Sequence, residues 1–255
     1  MYILGYKPTN DRSFEVNKDV VRIAIEEVKS YFTSISSLIA ITQVDVIGHS
    51  MGGLLARKWA GNIIGYKRKD NYRQGDIHKL ITIDSPHSGS FLAEAAIKAL
   101  NGPRTRECDN LFREMERRNM SVTAGAVYDM RTTSSVIENM NMVNIVPFCH
   151  SIIGFYEDVD VYFSPDSSFI WIIGPPEYYT IHTVLQQNGC NLLWDVTSSD
   201  MVITCESQQG GLGPFASEKF SHHHLNWQTE LVGRHVIELL NEQTDIYFEQ
   251  GFPVR

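Results

Sequence analysis

The chain has little of what would place it in a specialised class. It carries four cysteines in 255 residues, Cys108, Cys149, Cys190 and Cys205, widely spaced and without a Cys-x-x-Cys pair. In a domain of this length they read as free thiols rather than as a disulfide framework. No run reaches the ~18 consecutive apolar residues of a membrane-spanning helix, so no transmembrane segment is expected. Met1 to Asp11 lacks the basic start and apolar stretch of a secretory signal. A cleaved signal would already be gone, which leaves a cytoplasmic and a secreted mature form equally open. Positive charge is scarce as well: 22 Lys+Arg face 30 Asp+Glu, a net charge of −8. The longest basic stretch, Lys67 to Lys69, reads as a solvated turn, whereas phosphate binding needs clustered positive charge. No nucleic-acid partner is expected.

What is present is apolar surface, 43% of residues against 20% charged, enough for a sizeable core and too much for wholesale disorder. Tyr2 to Gly5 reads as a strand. Ser13 is placed to cap a helix in which Val21, Ile25, Val28, Phe32 and Ile35 recur at spacings of four and three. Val44 to Ile47 and Leu80 to Ile83 read as buried parallel strands, with a helix over Leu54 to Trp59 between them. Further helices are expected at Phe91 to Leu100 and around Leu231 to Leu240, and further strands at Ser151 to Phe155 and Phe169 to Ile173. This alternation predicts an α/β fold, a mostly parallel sheet with helices on both faces. Without internal repeats, the simplest division is one domain over 1–255 with a lid-like or cap-like insert at about 91–142.

The most informative stretch is Val44-Asp45-Val46-Ile47-Gly48-His49-Ser50-Met51-Gly52-Gly53. It places G-x-S-x-G between a strand pattern and a helix pattern. A serine on a sharp strand-to-helix turn needs glycines two residues away on either side, because a Cβ there collides with neighbouring backbone. The bare pentapeptide arises by chance about 0.1 times in a chain of this composition, so the strand before it and the helix after it carry the weight.

Gly48-His49-Ser50-Met51-Gly52-Gly53 resembles the nucleophile elbow of α/β-hydrolases of the bacterial lipase and esterase type. Thr82-Ile83-Asp84-Ser85-Pro86-His87-Ser88-Gly89-Ser90 is similar to the T-P-H-x-G-S segment of bacterial triacylglycerol lipases. Ser199-Asp200-Met201-Val202 with Ser207-Gln208, and Ser221-His222 with Leu225, also match, so that the likeness runs from about Tyr2 to Leu240. The resemblance implies a Ser-acid-His order along the chain.

A serine hydroxyl needs a base within hydrogen-bond reach and a carboxylate that fixes the base's tautomer. Of nine histidines, His49 is expected to point away from the serine's task and His87 to be structural. His78, His150 and His182 have no motif context, and His235 falls on the apolar stripe of the last helix. The family histidine stands three residues before an apolar residue, which selects His222, with Leu225 three positions on. His223 is the second choice and His224 the third. A metal-binding histidine cluster is the competing idea, but adjacent side chains rarely converge on one ion, and neither metal nor cofactor is expected. Asp200, 22 residues before His222, is the preferred acid. Asp84 is its rival, because some lipases of this fold carry the acid there, and Asp195 comes third.

The amide of Met51 is the first oxyanion donor. In lipases the second comes from a His-Gly loop, and no His-Gly precedes Ser50; the first strands and that loop are expected to lie before residue 1. The function implied is a serine hydrolase of carboxylic esters, with a small-molecule ester or lipid as substrate. The same residues would serve thioesters or amides, and the rival reading is a hydrolase-like domain that binds a lipid or protein partner without turnover.

Overall fold

A computed structural model of the chain describes residues 7–9, 11–36, 38, 40–102, 109, 112–113, 123, 125–155, 160–163, 170–173, 200, 202–222, 224 and 227–253. The strand expected at Tyr2 to Gly5 lies outside them. Helix α1 spans Val20–Ile35, β1 Val44–His49, α2 Met51–Ala60, α3 Ile63–Tyr66 and β2 Ile77–Ile83. There follow α4 at Phe91–Asn101, α5 at Gly125–Asp129, α6 at Ser135–Met142 and β3 at Phe148–Phe155. An antiparallel pair, β4 at Asp160–Phe163 and β5 at Ile170–Ile173, is followed by α7 at Cys205–Gln209, β6 at Ser217–Ser221 and α8 at Glu230–Asn241. Two short elements follow, α9 at Thr244–Tyr247 and β7 at Glu249–Gln250.

The main sheet runs β1-β2-β3-β6 with every neighbour parallel, and β7 pairs antiparallel with β3. Strand alternation feeds two cores. Leu80 of β2 packs with Val21 and Ile25 of α1 and Leu54, Leu55 and Trp59 of α2. Its neighbour Ile81, with Ile83 and Ile152, faces Val232 and Leu239 of α8 on the other side. Burial on both faces is why these strands read as unbroken β-branched runs. Strand β6, Ser-Glu-Lys-Phe-Ser, has no buried residue and carries no such signal.

Two local expectations are corrected. Ser13 does not cap α1, whose N-cap is Asp19. Residues 11–17 instead form turns held by the buried Asn17 amide, which donates to the carbonyls of Thr9, Arg12 and Ser13. The α1 stripe is buried only at its start. Val21 and Ile25 are in the core, whereas Phe32 and Ile35 are 38% and 59% exposed. The stretch 91–142 is anchored at both ends: Leu92, Ala93, Ala96 and Ile97 of α4 form a core cluster with Val127, and Ile137 and Met140 join the main core. The lid expectation there rests on 103–124, most of which lies outside the described residues. The antiparallel β4–β5 pair lies between β3 and Asp200 along the chain, in a stretch most of which is outside the described residues.

One buried cation ties the sheet to α8. Lys79, 3% exposed, donates from Nζ to the carbonyls of Leu239, Leu240 and Glu242 at 2.8–2.9 Å. A charge here satisfies the carbonyls that a helix end leaves open and complements the helix dipole. Lys79→Met removes these bonds at constant length and is expected to cost about 2–3 kcal/mol. A urea titration checks this.

Candidate active site

The site lies at the carboxyl ends of the parallel strands, where open α/β sheets bind their ligands. The register sets His49 beside Ile83, Ile83 beside Ile152 and Phe155 beside Ser221, so the residues that follow these strands converge. Ser50 caps α2 with φ 50° and ψ −124°, a strained conformation for a residue with a Cβ. The turn closes because Gly48 is bare: a Cβ there would lie 2.6 Å from Cα of Gly53. Met51 is the first residue of α2, so its N–H has no intrahelical acceptor.

Ser50 Oγ–H donates to Nε2 of His224 at 3.0 Å, and His224 Nδ1–H donates to Asp200 Oδ2 at 2.6 Å. Asp200 is fully buried, and its Oδ1 accepts the amides of Val202 and Ile203 at 2.9 and 2.7 Å. The His224 amide also donates to the Asp200 carbonyl at 3.0 Å, so base and acid are held by main chain and side chain alike. Burial of His224 opposes its charged form. The Asp200 charge and hydrogen bond, with a further contribution from the Asp84 charge, outweigh it, so its pKa is raised.

The structure therefore places His224, not His222, against Ser50. The main chain explains the difference. The His222 amide still donates to Phe155, extending the β6 ladder, and its ring turns onto Asp84, with Nε2 2.9 Å from both carboxylate oxygens. Two residues on, the chain has left the strand for Asp200. The three-residue spacing from His222 ends at Leu225, which, like His223 and Asp195, lies outside the described residues. Asp200 and Ser50 both contact the His224 ring, and Met51 follows Ser50 at the start of α2. The rival acid Asp84 belongs to a second acid–imidazole pair. Gly154 separates the two pairs: a Cβ there would sit 2.7 Å from Asp84 Oδ1 and His222 Nε2 and 3.0 Å from Asp200 Cβ.

Two supporting residues escape sequence reasoning. His49 does not turn away from the site; its Nε2–H donates to the His224 carbonyl at 3.1 Å, and its ring stacks on Trp227 at 4.9 Å. Desolvation and the nearby His224 push its pKa down to about 3, so it stays uncharged. Gln208 is buried and brackets Gly154, its Oε1 accepting the Gly154 amide at 2.7 Å and its Nε2 donating to the carbonyls of Gly154 and Ile203. It thereby fastens the Asp200 loop to β3. His87 is structural, stacked 4.0 Å from Phe252 with Nε2 3.1 Å from Thr82 Oγ1.

His49, Asp84 and His224 each bring one metal-capable atom within 4.8 Å of the others. Each residue already has a protein partner: His49 the His224 carbonyl, Asp84 the His222 ring, and His224 both Ser50 and Asp200. Among the described residues no helix is long and apolar enough to cross a membrane.

A parallel sheet flanked on both faces, with a strained serine between strand and helix, is an α/β-hydrolase-like fold. The chain belongs to the PGAP1-like α/β domain family, whose model matches residues 9–172 and so contains Ser50 and Asp84 but not Asp200 or His224. Among solved structures it is similar to the mature form of the Bacillus licheniformis lipase BlEst2, with a TM-score of 0.53 at 14% identity over 90% of this chain and 75% of that one. The propeptide form of the same lipase gives 0.51 at 15% identity, over 91% of this chain and 42% of that one. No curated protein matches the chain.

Proposed function

We propose that the chain is a serine hydrolase that cleaves carboxylic esters through an acyl-enzyme, with Ser50 as nucleophile, His224 as general base and Asp200 as the carboxylate that orients the base. The relay from Ser50 Oγ to His224 at 3.0 Å and on to Asp200 at 2.6 Å carries this reading. As Oγ attacks the ester carbonyl, its proton passes to His224 Nε2. The Nδ1–H bond to Asp200 holds the ring in the tautomer that leaves Nε2 free to accept it. The Met51 amide faces the oxyanion that develops. His224 then protonates the departing alkoxide, and water, deprotonated by the same nitrogen, releases the acid. The similarity to a lipase fold supports an ester or lipid substrate; acyl length is read by a panel of p-nitrophenyl esters from acetate to palmitate. Ser50→Ala must lose hydrolysis across the panel, and retained turnover would refute the assignment.

The pH dependence follows from the raised His224 pKa. Only the unprotonated ring accepts the serine proton, so activity is lost as pH falls through that value. The acid limb of kcat/KM is expected above the ordinary histidine value of about 6.5. Initial rates on p-nitrophenyl butyrate between pH 5 and 9 measure it; a limb below that value would contradict the raised pKa.

A further inference from the structure

The second acid–imidazole pair does nothing in the relay above, yet it is built with care. Asp84 is fully buried and takes φ 51°, a left-handed conformation outside glycine's usual monopoly. Both of its oxygens lie 2.9 Å from His222 Nε2, and His222 Nδ1 is buried with no hydrogen-bond partner. A bare Nδ1 tolerates that better than an N–H does, so the shared proton sits on Nε2 and Asp84 is the acceptor. One Asp84 oxygen also falls within 4.8 Å of a ring nitrogen of His224.

Resting on the serine-hydrolase reading above, we propose that Asp84 is a positioning residue of the site: its carboxylate, pinned by His222, is a second negative charge that favours the His224 imidazolium formed during attack by Ser50. Among the described residues, the titratable groups facing His224 are Asp200 from the loop before α7, Asp84 from the end of β2, His49 from β1 and, on its own segment, His222. Of these, Asp200 is committed to Nδ1, and His49 remains uncharged. Asp84 acts through space at a separation where a unit charge in a partly desolvated site still matters. The arrangement has a cost: desolvation comes first in raising the Asp84 pKa, only partly offset by the His222 hydrogen bond. An acid whose folded pKa is raised loses stability as pH climbs through that value, so its charge destabilises the fold at neutral pH.

Asp84→Asn isolates the charge. Asparagine is isosteric, tolerates the left-handed φ and still accepts the His222 N–H. The readout is the rate at which a fluorophosphonate labels Ser50, followed from pH 5 to 9, which needs no knowledge of the natural substrate. The variant is expected to label about ten-fold more slowly on the plateau. Its acid limb should move to lower pH, because His224 loses a charge that raises its pKa, and its Tm at pH 7.5 should rise. An unmoved acid limb with a lower Tm would overturn the proposal and make the pair a structural clamp. The two readings fail separately: no labelling of wild type sinks the hydrolase assignment, whereas full labelling with an unchanged limb in Asp84→Asn sinks only the role of Asp84.

Discussion

His224→Ala is expected to lower ester turnover by about 10⁴-fold or more, and His222→Ala by less than about ten-fold. The two histidines are two residues apart, and both are almost fully buried against a carboxylate, so burial and partner type do not distinguish them. Reach does. Only His224 has one ring nitrogen on Ser50 and the other on Asp200. His222 uses its Nε2 on Asp84, and its Nδ1 contacts no polar atom among the described residues. Combining His224→Ala with Ser50→Ala should add almost nothing to either change alone, because both remove one proton transfer. Steady-state rates on one soluble ester, with circular dichroism to check folding, separate the variants; comparable losses for both histidines would contradict the assignment.

Asp200→Asn is expected to cost about 10⁴-fold in kcat. The local hydrogen bonds say which way the new amide turns. Oδ1 of Asp200 accepts two backbone N–H groups, from Val202 and Ile203, and an NH₂ in that position would face two donors. The asparagine therefore keeps its carbonyl there and turns NH₂ towards His224 Nδ1. Donation to Nδ1 drives the ring proton onto Nε2, where it blocks the hand-over from Ser50. Asp200→Ala has no such bias, so its loss should be the smaller of the two in a folded protein. Single-turnover acylation with p-nitrophenyl acetate measures the step directly.

What the sequence reveals of this site follows from how local each requirement is. The elbow is legible because the crowding at Gly48 is set by a residue five positions away, Gly53, within a single turn of chain. The strands β2 and β3 are legible because burial on both faces favours the apolar runs Leu80 to Ile83 and Ile152 to Ile153, and β1, which is more exposed, because Val44, Val46 and Ile47 precede the elbow glycine. The base is not legible in the same way. His222, His223 and His224 have the same chemistry, and the choice depends on where β6 ends, at Ser221, in a strand without any buried residue. Asp84 could be suspected from its place after β2, but its pairing with His222 depends on Gly154, on a strand 70 residues further along. His49 departs from its expected orientation for a similar reason: its partner is a main-chain carbonyl 175 residues away, and no side-chain pattern announces it.

The assignment of Ser50 as an activated nucleophile is tested most directly by the site and rate of fluorophosphonate labelling, read by intact-mass and peptide mass spectrometry. One adduct per chain on Ser50, absent in Ser50→Ala, greatly slowed in His224→Ala and retained in His222→Ala, is the result predicted by the relay of Ser50, His224 and Asp200. An adduct on any other residue, or labelling of His224→Ala at the wild-type rate, would contradict it.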